Sequence, residues 1–372
     1  LFFLMRPSII EVDLNILKNN LRLIQEHINN RPVMAVVKSN AYGHGLVKVA
    51  NLYEQLGVNS LGVALPEEGI ILRKSGISLP IVVFSGLLKE QIPELIEWDL
   101  EFFVPSTDVL NFTEKFCKAK NRRATIHLKI DSGMGRIGTI AENSESLIAS
   151  ALNSENIYIK GVCSHFACAD DPEDPMTLEQ IERFLEAVSL FEKLGARTPL
   201  RHIANSGGVL YFPQSHLDIV RPGIILYGVY PETSCPRILE IKPALKLKSR
   251  VSFHKSIPPG FSISYGATWT SESTVEISTI PLGYGDGYPR QLSNRGEVLI
   301  NGKRRQIAGR VCMDQFMVDC NSENQNAGDE VILIGEQDGK CITVEEISKW
   351  AETIPYDILT SLNERLPRTY TN

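Results

Sequence analysis

The run Ala35-Val36-Val37-Lys38-Ser39-Asn40-Ala41-Tyr42-Gly43-His44-Gly45 decides how this chain folds. A short β-branched stretch ends in a lone lysine, and a glycine-broken loop carrying Tyr42 and His44 follows at once. That pattern reads as a buried parallel strand whose C-terminal end presents an amine and a phenol. A lysine there is placed to form a Schiff base with an aldehyde cofactor. A strand-ending lysine that snorkels to solvent would look the same in isolation, so the surroundings must decide.

Working outward, residues 12–30 read as an amphipathic helix, with Leu14, Leu17, Leu21, Ile24 and Ile28 at helical spacing and Asp13 as N-cap. Short apolar strands recur at 33–37, 58–64, 80–84, 101–104, 124–130, 157–163, 200–203 and 217–220. Helical segments fill most gaps, at 45–56, 66–75, 89–98, 107–120, 142–152 and 177–195, with a small one near 206–212. Eight strands alternating with helices predict a (β/α)8 TIM-type barrel over residues 1–238. Beyond that the texture changes to period-2 runs at 245–253, 261–265, 273–280, 297–300, 304–310, 316–319 and 330–334. Turn signals such as Asn301-Gly302 separate them, and one late helix is expected at about 343–352. Residues 239–372 are therefore expected to form a second, mostly β domain.

Composition narrows the function. The chain has 372 residues, 22% charged and 43% hydrophobic, with a net charge of −6. That balance argues against a nucleic-acid footprint, and no apolar run is long enough for a membrane span. Seven cysteines without a Cys-x-x-Cys suggest neither a disulfide framework nor a zinc site, and fit a reducing cytoplasm. The apolar start, Leu1-Phe2-Phe3-Leu4, is too short for a signal sequence, and Met5 is a candidate native start.

In a barrel the chemistry belongs where strands end. Lys38, Lys129 with Asp131, His165, His202 with Asn205, and Arg221 all fall at such ends. Asn205-Ser206-Gly207-Gly208 opens a short helix, and Arg221-Pro222-Gly223-Ile224 offers a close-approach glycine. Both follow late strands, where barrel phosphate sites form, although each alone is also ordinary capping and turn chemistry. Gly283-Tyr284-Gly285-Asp286-Gly287 lacks a strand–helix context and is rejected as a dinucleotide loop. Neither Ser264-Tyr265-Gly266 nor Cys312-Met313-Asp314 could be read as catalytic from the residues alone.

Together these motifs closely resemble the bacterial alanine racemase family of barrel-fold pyridoxal phosphate enzymes. The match covers essentially the whole chain, through Ala35–Gly45, His127–Gly138, Ser164–Asp170, His202–Gly208, Val220–Gly228, Ser264–Thr268, Pro281–Gly287, Gly309–Asp319 and Pro355-Tyr356-Asp357. The resemblance implies pyridoxal 5'-phosphate bound covalently to Lys38. It implies Tyr265, from the other subunit of a homodimer, as a second base on the opposite face. Arg221 would meet the pyridine nitrogen and His165 the ring. Tyr42, Asn205, Ser206, Gly223, Ile224 and Tyr356 would complete the cofactor site. Arg136 and the Met313 backbone would bind the substrate carboxylate, Met313 again from the partner. Lys129 matches a lysine that is often carbamylated. An arginine at a ring nitrogen can only donate, which favours an unprotonated ring.

The implied activity is interconversion of L- and D-alanine, supplying D-alanine for peptidoglycan, with serine or broad-specificity racemisation as the alternative. A basic amino-acid decarboxylase would want an acidic partner for the ring nitrogen where Arg221 stands. A pyridoxal phosphate carrier protein would lack the β domain.

Overall fold

A computed structural model describes residues 6–372; the expectation for residues 1–4 and Met5 lies outside the described residues. The run 35–45 begins in a strand, β2 (Met34–Val36), that is fully buried and pairs in parallel with its neighbour, within the expected 33–37. Ahead of it, β1 (Ile9–Asp13) leads into a helix, Leu14–His27, whose N-cap is Asp13, with its carboxylate accepting from Ile16 N at 3.0 Å. Then come β3 (Ser60–Val63), β4 (Ile81–Val83), β5 (Glu101–Val104), β6 (Ala124–Asp131), the two-residue β7 (Thr139–Ile140), β8 (Ile157–Cys163) and β9 (Leu200–His202). They pair in parallel in the order β2-β3-β4-β5-β6-β8-β9, with β7 attached to β6.

The eighth barrel strand, expected at 217–220, is reduced to a single parallel bridge between Val33 and Val220. Closure still holds through backbone bonds on both sides. Asp218 N donates to Arg201 O at 3.2 Å and Arg221 N to Ala204 O at 2.9 Å, while Met34 N donates to Val220 O at 2.8 Å and Val36 N to Pro222 O at 3.1 Å. Pro222 has no N–H to extend the ladder, so the strand ends there.

The second domain is built on a ten-stranded sheet. Its strand β10 (Leu245–Arg250) pairs antiparallel with β1, and Arg368–Thr371 pairs with the other edge of β1 in parallel. The expected division at 238/239 is thus corrected at its start: residues 9–13 belong to the C-terminal sheet, and the chain enters the barrel only with the Leu14–His27 helix. Among the elements outside the expected segments are the helix Pro355–Ser361 and the strand Arg368–Thr371. The expected late helix is present at Val344–Ala351, capped by Thr343 and Glu346. Among the described residues no helix is long and apolar enough to cross a membrane.

Candidate active site

Lys38 leaves β2 into a left-handed turn where the sequence predicts a loop. Ser39, Asn40, Ala41 and Tyr42 all have φ between 50° and 55°, a turn of left-handed helix. For L-residues this costs about 1–2 kcal/mol each, so the surroundings must impose it. Glu68 does part of this work: its carboxylate accepts from Ser39 N at 2.6 Å and from Ala64 N at 2.8 Å. Asn40 Oδ1 caps the next helix, Leu46–Gln55, by accepting from Leu46 N at 2.8 Å. From the far end of the chain, Arg368 Nε donates to Gly43 O at 2.8 Å. The helix Pro355–Ser361 lies so close that a Cβ on Gly43 would collide with Leu359 O. The turn swings Tyr42 under the end of the barrel, where a Cβ on Gly223 would strike its hydroxyl.

Around this turn the structure gathers most of the residues expected from the sequence. Arg221 is 4% exposed. Its Nη2 donates to Ser164 O at 2.7 Å and its Nη1 reaches His202 Nδ1 at 2.7 Å, while its Nε makes no hydrogen bond among the described residues. The Tyr42 and Tyr356 rings sit 6.1 Å apart. Neither hydroxyl, nor Lys38 Nζ, nor the Arg136 guanidinium has a hydrogen-bond partner among the described residues. Ser206 begins the helix Ser206–Tyr211, and its Oγ accepts from Gly223 N at 3.0 Å. Ile224 begins a 3-10 turn, Ile224–Tyr227. First-turn N–H groups have no partner within their own helix, and those of Ser206, Gly207 and Ile224 find no other acceptor among the described residues. The Asn205 side chain is engaged as N-cap, accepting from Gly208 N at 3.0 Å.

The electrostatics match the geometry. Burial and the nearby charges of Arg221, Arg136, Lys129 and Lys38 hold His165 well below the usual imidazole range, so it is neutral. Burial, with Arg136 adding to it, lowers the Lys38 ammonium, while Glu68 opposes the shift. Lys129 is pushed down to about 8, chiefly by burial. Burial lowers even Arg221, to about 10, still fully cationic at neutral pH. The result is a cationic, donor-rich mouth with a partly deprotonatable lysine in it.

Two expected residues stay apart from this group. Tyr265 is 72% exposed and Met313 53% exposed, both on the β domain. The Met313 carbonyl accepts from Gly285 N at 2.8 Å, and its own N–H has no partner among the described residues. Glu68 and Asn40 were missed. A first-turn glutamate and a loop asparagine have many ordinary uses, and only the positive φ values reveal what they hold.

A closed parallel barrel thus carries a strand-end lysine in a cationic, donor-rich mouth suited to holding an anionic group, with a β domain appended. Family models for the alanine racemase N-terminal domain match residues 12–231 and for its C-terminal domain residues 244–370. The chain is 42% identical to the alanine racemase of Carboxydothermus hydrogenoformans, over 98% of this chain and 100% of that one. It superposes on the alanine racemase of Streptomyces lavendulae with a TM-score of 0.93 at 37% identity, covering 99% and 97% of the two chains. The Bartonella henselae alanine racemase, solved with covalently bound pyridoxal phosphate, gives 0.90 at 29% identity over 98% and 99%. The chain belongs to the alanine racemase family, and is an isomerase of the amino-acid racemase type.

Proposed function

We propose that this protein interconverts L- and D-alanine with pyridoxal 5'-phosphate, as a homodimer in the cytoplasm, supplying D-alanine for peptidoglycan. The observation that carries the cofactor reading is the set of unengaged donors around one mouth: Lys38 Nζ, Arg221 Nε, the Tyr42 and Tyr356 hydroxyls, and the N–H groups of Ser206, Gly207 and Ile224. They fit an aldehyde, a ring nitrogen and a phosphate in turn. Gly223, lacking a Cβ, lets the Tyr42 hydroxyl sit against the same cradle. Asn205 serves this cradle by capping the helix that presents Ser206.

Bound there, the cofactor supplies an aldehyde that engages amines and an electron sink that acidifies the α-carbon. Lys38 would hold it and, as a free amine, would take or return the α-proton at one face through Nζ. Tyr265 of the partner subunit does the same at the other face through its hydroxyl, so the substrate need not turn over. Arg136 orients the substrate carboxylate, with the N–H of Met313 of the partner subunit. Arg221 can only donate, so it keeps the ring nitrogen unprotonated. Lys129, with its amine lowered to about 8, is placed to react with carbon dioxide and, as a carbamate, to hold Arg136. Tyr356 narrows the room for a side chain, which favours alanine over serine.

Chiral product analysis of purified protein with pyridoxal phosphate and each L-amino acid in turn tests this. D-alanine as the dominant product is expected. Comparable turnover of serine or larger amino acids establishes the broad-specificity alternative, and no enantiomer from any of them overturns the racemase assignment.

A further inference from the structure

Below Arg221 a file of side chains crosses the barrel interior. Arg221 Nη1 lies 2.7 Å from His202 Nδ1, His202 Nε2 lies 2.8 Å from His127 Nδ1, and His127 Nε2 lies 3.0 Å from Glu101 Oε2. The second oxygen of Glu101 accepts from Lys160 Nζ. All four members from Arg221 to Glu101 are buried. Glu101 begins β5, so it stands at the end of the barrel opposite Lys38, beside a hollow of about 300 Å³ lined by Met34, Asn59, Lys160, Leu200 and Ile219.

Donor and acceptor chemistry allows one proton arrangement here. A guanidinium only donates, so His202 Nδ1 is the bare acceptor. A neutral His202 then carries its proton on Nε2 and donates to His127 Nδ1. His127 in turn carries its proton on Nε2 and donates to the carboxylate. A second proton on His202 would face Arg221 donor to donor, and one on His127 Nδ1 would face His202 Nε2–H in the same way. Burial, reinforced at His202 by the Arg221 charge, keeps both rings below the ordinary imidazole value. The backbone is cut to suit the contact. Gly161 on β8 stands where the rings meet, and a Cβ there would collide with His127 Nδ1 and come within 3.0 Å of His202 Nε2.

We propose that Glu101 is a remote positioning residue of the active site, fixing the tautomers of His127 and His202 and thereby holding Arg221 in place from the far end of the barrel. Its bearing on catalysis rests on the role given to Arg221 above. Without an acceptor at position 101, His127 is free to move its proton to Nδ1. His202 must then move its own to Nδ1, where it meets the guanidinium. The fault therefore arrives at Arg221, although Glu101 touches nothing in the mouth.

Nitrogen-15 NMR of histidine-labelled protein reads the tautomers directly. In the wild type both rings should carry the proton on Nε2. In Glu101→Leu, with folding checked by circular dichroism, both should show mixed tautomers. Its kcat should fall about tenfold while KM for alanine changes less than about twofold. In the double variant Glu101→Gln/Lys160→Met the amide oxygen has only His127 to serve, and it should restore both tautomers and most of kcat. A wild-type His202 protonated on Nδ1 overturns the proposal, as does a folded Glu101→Leu protein with unchanged tautomers and kcat. Should the leucine variant not fold, the wild-type spectrum and the double variant still decide. The NMR signal needs no turnover, so a protein inactive on alanine would count against the racemase assignment and leave this test intact.

Discussion

His44 shows how burial turns one residue into a pH-dependent stability element. Its ring lies 4.5 Å from that of Tyr227, and its Nδ1 is 2.8 Å from Tyr42 O, to which it donates. Nε2 is buried without a partner among the described residues, and burial pushes the group down from 6.5 to about 4. The folded value lies below the unfolded one, so on acidification the unfolded chain takes up a proton first. The stabilisation is complete above pH 6.5 and is lost as pH falls toward about 4, on the order of 3 kcal/mol. His127, His165 and His202 shift in the same direction. The urea midpoint should therefore drop between pH 7.5 and 5, and His44→Asn, which keeps a donor for Tyr42 O, should flatten that drop; an unchanged slope contradicts the assignment. Lys129 offers a second residue-scale test. With the amine lowered to about 8, a sizeable share is unprotonated in mildly alkaline buffer and can bond to carbon dioxide, releasing its proton to solvent. Carbon-13 NMR in labelled bicarbonate should show a carbamate signal that Lys129→Ala abolishes, and its absence from the wild type would remove the proposed support for Arg136. At this scale Lys38, His165, Lys129 and Arg221 were legible because polar residues ending apolar strands are unusual. Glu68 and Glu101 were not, since their partners come from distant parts of the chain.

The element that most departs from sequence expectation is the left-handed turn at 39–42. Nothing in Ser-Asn-Ala-Tyr announces four successive positive φ values, because the conformation is imposed by Glu68, Asn40 and the C-terminal segment. The strain makes a counter-intuitive prediction. Ser39 is exposed at φ 53° and its hydroxyl makes no hydrogen bond among the described residues. Ser39→Gly should therefore raise stability by about 0.5–1 kcal/mol, the relief of left-handed strain exceeding the extra chain entropy of glycine. Gly43→Ala, at φ 80° and facing Leu359 O, should lower it by more than about 1 kcal/mol. Urea titration of both variants checks the signs, and a destabilised Ser39→Gly would mean that the turn is not strained. Elsewhere, long helices such as Thr107–Lys120 were legible from period and caps. The strand β1 was not, since its five residues run directly into a helical pattern that claimed Val12 as well. The strand Arg368–Thr371 becomes a strand only by pairing with β1, a contact between the two ends of the chain.

At the scale of the whole molecule, the exposure of Tyr265 and Met313 carries the argument for a dimer. One chain supplies the mouth with Lys38, Arg221 and the proposed phosphate cradle, yet Tyr265, the proposed second base, is 72% exposed. In a two-fold symmetric pair each mouth would receive Tyr265 and Met313 of the partner subunit, because a self-complementary interface repeats every contact. This arrangement predicts complementation between two dead variants. Lys38→Ala keeps a working Tyr265, and Tyr265→Phe keeps a working Lys38; each homodimer should lose at least about a hundredfold in kcat, the usual worth of a general acid–base group. In a mixed dimer, the mouth of the Tyr265→Phe chain combines an intact Lys38 with the intact tyrosine of its neighbour, while the other mouth lacks both. Random pairing makes about half of all dimers mixed, each with one working site in two, so co-refolded equal amounts should recover about one quarter of wild-type activity. If both bases came from one chain, no mixture of these variants could contain a working site, and activity would stay at the level of the separate mutants. The measured fraction therefore reports directly on whether Lys38 and Tyr265 act across the subunit boundary.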